Sequence, residues 1–270
     1  MTMLQFDERP IVFADTLRAQ GRVIYAVMLR GMRSRYFGNA LGFLFASVAW
    51  PLAHVLVLLA LYSVGGRTAP LGDSIILFSA TGLMPFIAFN YISRWTMLGM
   101  LFDRPLLALP VVRPSDLLFA RVFLEILGSC VTAISLLTIL WIGGVDFVPR
   151  DVVQAGFAFV AAILLGAGMG MVNTVIGIAF RPWVTGYFLI MIILYAASGI
   201  IFIPDALPET ARYYLSFNPV LQAVEWMRSA YYPGYGALVL DKAYLMYWCV
   251  CTIFGGLAME RLVRGRLLVD

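Results

Sequence analysis

Long uncharged apolar runs alternate with short polar breaks along the whole chain. A hydrocarbon core about 30 Å thick takes about 20 helical residues to cross. Runs of that length lie at 41–62, 74–93, 117–142, 152–180, 183–203 and 243–259. They predict six transmembrane helices. Pro51 falls midway along the first, with His54 one turn later, and Pro85 in the second predicts a kink. His54 reads as a hydrogen-bonded interior residue rather than a ligand or proton relay. Gly143-Gly144 closes the third run. Gly166-x-Gly168-x-Gly170 gives the fourth a small-residue face that lets another helix approach closely.

Three segments break the pattern. In 11–35, Asp15, Arg18 and Arg22 share one helical face and Phe13, Leu17, Ile24 and Met28 favour the other, which predicts an amphipathic helix lying on the membrane surface. Gly21 weakens that helix without forbidding it, and Arg30, Arg33 and Arg35 follow. The polar break at 94–116, with Arg121 just beyond, holds Arg94, Arg104, Arg113, Asp103 and Asp116. It also holds apolar residues that need cover: Leu98, Met100, Leu101, Phe102, Leu106, Leu107 and Leu109. A short amphipathic helix here is either a handle for a second protein or an interfacial turn packed on headgroups. Arg121 and Glu125 are spaced to pair along one helix. In 205–241, Asp205, Glu209, Arg212, Glu225 and Arg228 mix with many aromatics, and Asn218-Pro219 is a helix start with Asn as cap and Pro in the first turn. Two short helices that dip into one leaflet and return fit this composition.

Composition sharpens the class. The 270 residues are 62% hydrophobic and 13% charged, against roughly 25% charged in soluble domains, so the chain reads as an all-α polytopic membrane protein. All basic residues but Lys242 are arginine, and fourteen of the nineteen fall on the side that holds the termini and the polar break. That excess places the termini and the break in the cytoplasm. The N-terminal stretch carries Asp7, Glu8 and Asp15 and does not read as a cleaved signal. Cys130, Cys249 and Cys251 lie in apolar runs and read as small buried hydrophobes. No metal site or catalytic group is expected. There is no G-x-x-x-x-G-K-[ST] phosphate loop, no G-x-S-x-G elbow and no H-E-x-x-H pair. With no Asp, Glu, Lys or Arg at the centre of any predicted span, proton- or sodium-driven transport is disfavoured. An outside energy source or passive conduction remains.

Several stretches carry a resemblance. They are Arg33-Ser34-Arg35-Tyr36-Phe37-Gly38, Pro51-Leu52-Ala53-His54, Gly82-Leu83-Met84-Pro85-Phe86, Arg113-Pro114-Ser115-Asp116, and Asn218-Pro219-Val220 through Glu225 to Pro233-Gly234-Tyr235. Together they resemble the capsular polysaccharide export permeases of ABC transporter type 2, over essentially the whole chain. Trp50 departs from the pattern, in which an acidic residue often precedes the proline.

The resemblance implies a homodimer with two cytoplasmic ATPase subunits, which bind the ATP and Mg²⁺; this chain itself carries no cofactor. It implies a coupling helix around Met97, Leu98, Leu101, Phe102, Asp103, Arg104, Leu106 and Leu107, and periplasmic gate helices in 205–241. Arg30, Arg33 and Arg35 would meet an anionic, lipid-linked polysaccharide on its way in. A path and gate would include Trp50, His54, Tyr187, Tyr195, Tyr213, Tyr214, Glu225, Trp226, Tyr231 and Tyr232. Aromatic faces with hydroxyls suit sugars, although the same residues fit an interfacial belt. Membrane lipids and periplasmic and outer-membrane export proteins are the further partners, and no nucleic acid is expected. O-antigen or teichoic acid is the alternative cargo. A passive channel or a membrane-embedded glycan-modifying enzyme is the reading from another class.

Overall fold

The computed structural model describes residues 13–34, 42, 45–65, 68–236 and 238–267. They form helices and connecting turns, with no strand among the described residues. The helices are α1 (Phe13–Ser34), α2 (Trp50–Val64), α3 (Ile75–Asp103), α4 (Pro114–Ile142), α5 (Val152–Ala179), α6 (Pro182–Ala197), α7 (Glu209–Ser216), α8 (Pro219–Tyr231) and α9 (Lys242–Leu267). Four stretches are long and apolar enough to cross a membrane: Ile75–Ala108, Pro114–Ile142, Val152–Ala179 and Lys242–Val263. Trp50–Val64 and Pro182–Ala197 are shorter apolar helices.

α3 is the centre of the assembly and touches α2, α4, α5, α6 and α8. Its side chains are buried along most of its length, and Phe78, Leu83, Phe86, Phe89, Ile92 and Met97 are almost fully enclosed. The small-residue face of α5 explains how the bundle closes. A Cβ at Gly166 would lie 3.0 Å from the Phe89 carbonyl oxygen, and one at Gly170 2.7 Å from Thr96 Cβ, both on α3. A Cβ at Gly168 would overlap the Thr252 hydroxyl of α9. Backbones come this close only where no side chain intervenes, and van der Waals packing then replaces the hydrophobic drive that lipid cannot supply. α1 lies along α4, with Val27 buried and Val23, Ile24 and Met28 packed beside it. Asp15, Arg18 and Arg22 face outward; so does Leu17, which is exposed.

Several boundaries differ from the apolar pattern. Pro51 does not interrupt a span but stands in the first turn of α2, after a π-helical turn at Phe45–Ala49. A proline has no N–H to return to the preceding turn, so the wider register ends where it stands. The helix expected to stop at Ser93 continues for ten more residues to Asp103. α6 ends at Ala197 rather than Ile203, and the chain turns through Gly199 at φ +69°. α9 runs past Met259 through Arg261. Arg121 pairs with Asp103 instead of serving Glu125, which lines a cleft with Trp50, Tyr91 and Trp95. Cys249 is buried, Cys130 half-buried and Cys251 exposed.

Candidate coupling and translocation site

The C-terminal end of α3 builds a compact apolar prominence. Pro105 cannot continue an α-helix, so the chain tightens into a 3₁₀ turn over Arg104–Ala108. Leu109 N–H donates to the Leu106 carbonyl at 3.0 Å and Val112 N–H to the Leu109 carbonyl at 3.0 Å. α4 then starts at Pro114, with the Asp116 carboxylate accepting from Arg113 N–H at 3.0 Å. Leu106 and Val112 are buried and peg the connection down. Phe102 and Val111 are each 68% exposed, and Pro105, Leu109 and Pro110 are exposed beside them.

Of the expected coupling residues, only Phe102 is exposed. Leu98, Leu101, Arg104 and Leu107 are half-buried, and Met97, Asp103 and Leu106 are buried. Sequence reasoning missed Val111 and Pro110, whose place in the prominence depends on the turn.

Two groups fasten this end to its neighbours. Arg121 of α4 reaches across α3 to the Asp103 carboxylate. It can do so because Gly99 has no side chain: a Cβ there would meet Arg121 Cδ at 2.6 Å. On α1, a Cβ at Gly31 would lie 3.9 Å from Arg121 Cζ. Gln20 of α1 donates to Asp116 at 3.0 Å. α1, α3 and α4 are thereby held as one unit at this end. Arg30 is exposed on α1, Arg33 is helical, and Arg35 lies outside the described residues.

Further along, α2 and α6 both lean on α3. Near one end, the hydroxyls of Tyr62 on α2 and Tyr195 on α6 meet at 2.6 Å, and Tyr195 packs edge-on against Phe86. Towards the prominence, Tyr91 of α3 approaches His54 Nδ1 at 3.5 Å. Tyr187 is buried and donates to Ser93 Oγ at 2.9 Å, and Trp183 donates to Asn173 at 3.0 Å. His54 is thus a half-buried polar residue, as its isolation in the sequence suggests. Trp50 is 72% exposed at the start of α2, where it lines the cleft with Tyr91, Trp95 and Glu125.

At the end of α3 far from the prominence, α7 and α8 fold back against the bundle. Asn218 caps α8 by accepting from Val220 N–H at 2.9 Å, as its position before Pro219 predicts. α8 is far more enclosed than an amphipathic pattern suggests, with Val220 through Arg228 all buried. Arg228 explains how so polar a helix can be buried. Its guanidinium donates to the carbonyls of Gly199, Ile200 (2.7 Å) and Phe202 (3.2 Å), and lies 3.9 Å from the Phe78 ring centroid. It supplies the donors that the frayed end of α6 lacks.

Glu225 accepts from the Tyr235 hydroxyl at 2.8 Å and stands 3.9 Å from Arg228. Burial pushes its carboxyl up, to about 7, against the opposing pull of Tyr235 and Arg228; nearby Asp205 pushes it further up. Trp226 is buried and donates to Gln154 at 2.8 Å. Tyr213 and Tyr214 stack edge to face on the exposed side of α7, and Tyr231 and Tyr232 are half-buried. The expected path and gate residues therefore fall into three sets. Tyr187, Glu225 and Trp226 are buried, His54, Tyr195, Tyr231 and Tyr232 are half-buried, and Trp50, Tyr213 and Tyr214 are exposed.

No family model matches the chain. Curated proteins do. The polysialic acid transport protein KpsM of Escherichia coli is 32% identical over 239 residues, covering 88% of this chain and 92% of the relative. The capsule polysaccharide export inner-membrane protein CtrC of Neisseria meningitidis serogroup A is 26% identical over 94% of this chain and 96% of its own length. BexB of Haemophilus influenzae, of the same description, is 24% identical over 92% and 94%. These similarities run through the prominence, the α2–α3–α6 region and the buried α8 alike, and the chain belongs to the inner-membrane permeases of capsule polysaccharide export.

Proposed function

We propose that this permease is one half of an ATP-driven exporter, pushed from the cytoplasm through the prominence at Phe102–Val111. Two copies of the chain form the translocation path. Two cytoplasmic ATPase subunits hydrolyse ATP with Mg²⁺ and seat the prominence in a cleft. α2 and α6 join the four longer helices as spans, giving six, and α1 lies on the cytoplasmic face. The α7–α8 unit forms the periplasmic gate. The cargo is an anionic capsular polysaccharide with a lipid terminus, passed on to periplasmic and outer-membrane export proteins.

The observation that carries this reading is the continuity of α3. One helix of 29 residues, roughly 43 Å at 1.5 Å per residue, has the exposed apolar prominence at one end. At the other end Gly82 nests against Arg228 of α8. A push at Phe102 moves a packed rod, and the gate rests on that rod. Exposed Phe102 and Val111, rimmed by Arg104 and Arg113, also have the make-up of a small docking anchor.

Purification of the full-length chain from its own membranes tests the proposal. The expected result is a complex of two permease and two ATPase subunits, and loss of surface polysaccharide with internal accumulation when the chain is removed from the cell. A chain recovered without a nucleotide-hydrolysing partner, with surface polymer unchanged in its absence, overturns the reading.

A further inference from the structure

From Ile75 to Ser93, α3 carries no Asp, Glu, Lys or Arg; the first charge is Arg94. It lies roughly 28 Å along the helix from Ile75, which is the inner boundary of a hydrocarbon core about 30 Å thick. Yet Arg94 is not an open surface residue. It is half-buried, with its guanidinium carbon over the Phe188 ring of α6, 3.9 Å from the centroid. Its Nε is buried with no hydrogen-bond partner. No ion pair among the described residues includes it.

The other two deeply placed arginines also leave one buried nitrogen unpaired, Arg121 Nη1 and Arg228 Nε, but each has oxygen partners elsewhere on its guanidinium. Arg121 is answered by a carboxylate and Arg228 by three backbone carbonyls. Arg94 has only an aromatic face, which offsets part of the desolvation cost of a guanidinium and leaves its donor fork unused. His54, Tyr91 and Tyr187 lie close enough to feel its charge. Arg94 therefore sits on α3 beside its contacts with α2 (Tyr91–His54) and α6 (Arg94–Phe188), on the prominence side of the Tyr62–Tyr195 hydroxyl pair.

We propose that Arg94 is a binding residue for the anionic group of the transported molecule, a carboxylate of the sugar chain or a phosphate of its lipid terminus, held against α3 where α2 and α6 approach it, with His54 and Phe188 beside it. This rests on the export reading above. A planar guanidinium takes either group through two parallel N–H donors, and its aromatic backing fixes the fork without consuming it.

Binding to the purified full-length chain in uncharged detergent tests the assignment without the ATPase, so failure here is separate from failure of ATP-driven export. One arm uses a fluorescent carboxylated oligosaccharide against a neutral one of equal length. The other uses phosphatidylglycerol against phosphatidylcholine vesicles. The wild type is expected to favour the anionic member of at least one pair about tenfold, with the preference falling as salt rises. Arg94→Gln is expected to abolish that preference at an unchanged thermal midpoint, and Arg94→Lys to keep part of it. The arm that responds identifies the source of the anion. A wild type that prefers neither anion, or an Arg94→Gln chain that keeps the full preference, overturns the proposal. If Arg94→Gln does not fold, absence of any salt-sensitive anion preference in the wild type overturns it alone.

Discussion

Arg228 Nη2 occupies the space that a side chain at Gly82 would need: a Cβ there would lie 2.8 Å from that nitrogen and 3.3 Å from Ile200 Cα. Gly82 is the means by which α3 accepts a buried arginine from α8 while touching the end of α6. Three elements far apart in sequence thus converge on one backbone position.

Gly82→Val is expected to destabilise the chain by about 1–3 kcal/mol, the usual range for overpacking. The backbone of Ile200 cannot retreat as a flexible side chain can. The thermal midpoint of the purified chain measures this, and surface polymer in cells carrying the variant should fall in parallel. An unchanged midpoint would mean that α6 and α8 are not held against α3 in the way the geometry requires.

Arg228→Met removes the donors for the carbonyls of Gly199, Ile200 and Phe202. Orphaned buried acceptors cost about 1–3 kcal/mol each, so the α6–α8 junction is expected to open. Hydrogen exchange at residues 198–204 should rise sharply in the variant and stay low at the core of α5. Arg228→Lys is expected to recover only part of the protection, since an ammonium lacks the planar fork.

The Asp103–Arg121 pair offers a test by double substitution. Asp103→Leu alone leaves a buried guanidinium uncompensated, at an expected cost of about 3–5 kcal/mol. Adding Arg121→Met to it should restore most of the loss, because an apolar pair fills similar volume without an orphaned charge. Equal stability of the single and double variants would show that the pair is not a closed unit.

Glu225 gives a pH signature. Its carboxyl has an ordinary value of 4.5 and is raised to about 7 by burial in the folded chain. The folded state then holds a proton that the unfolded state has released. Stability from this group falls as pH rises between those values. The thermal midpoint should therefore drop from about pH 5 to about pH 8 more steeply in the wild type than in Glu225→Gln. Parallel profiles would place Glu225 in a wetter setting.

The apolar periodicity made the helical bundle readable, and the Asn218-Pro219 start and the Gly166, Gly168 and Gly170 face carried their roles in local chemistry alone. What stayed hidden depended on partners distant along the chain. Arg94 and Asp103 looked like the opening of a polar loop, but Phe188 and Arg121 let the helix absorb both. α8 looked too polar to bury because nothing near Arg228 in sequence shows that the end of α6 needs its donors. Pro51 looked like a mid-span residue, and only the π-helical turn before it makes it a helix start. Of the eight expected coupling positions only Phe102 emerges, since the 3₁₀ turn at Arg104–Ala108 decides which residues face outward.

The account stands most directly on the docking of the prominence. Phe102→Asp and Val111→Asp each place a charge on an exposed apolar surface without disturbing the core. Affinity capture of the full-length chain from cells, scored for nucleotide-hydrolysing subunits, is the measurement. The account predicts wild-type yield and thermal midpoint, with the ATPase lost and export abolished. ATPase recovered at the wild-type ratio from both variants, with export intact, would contradict it.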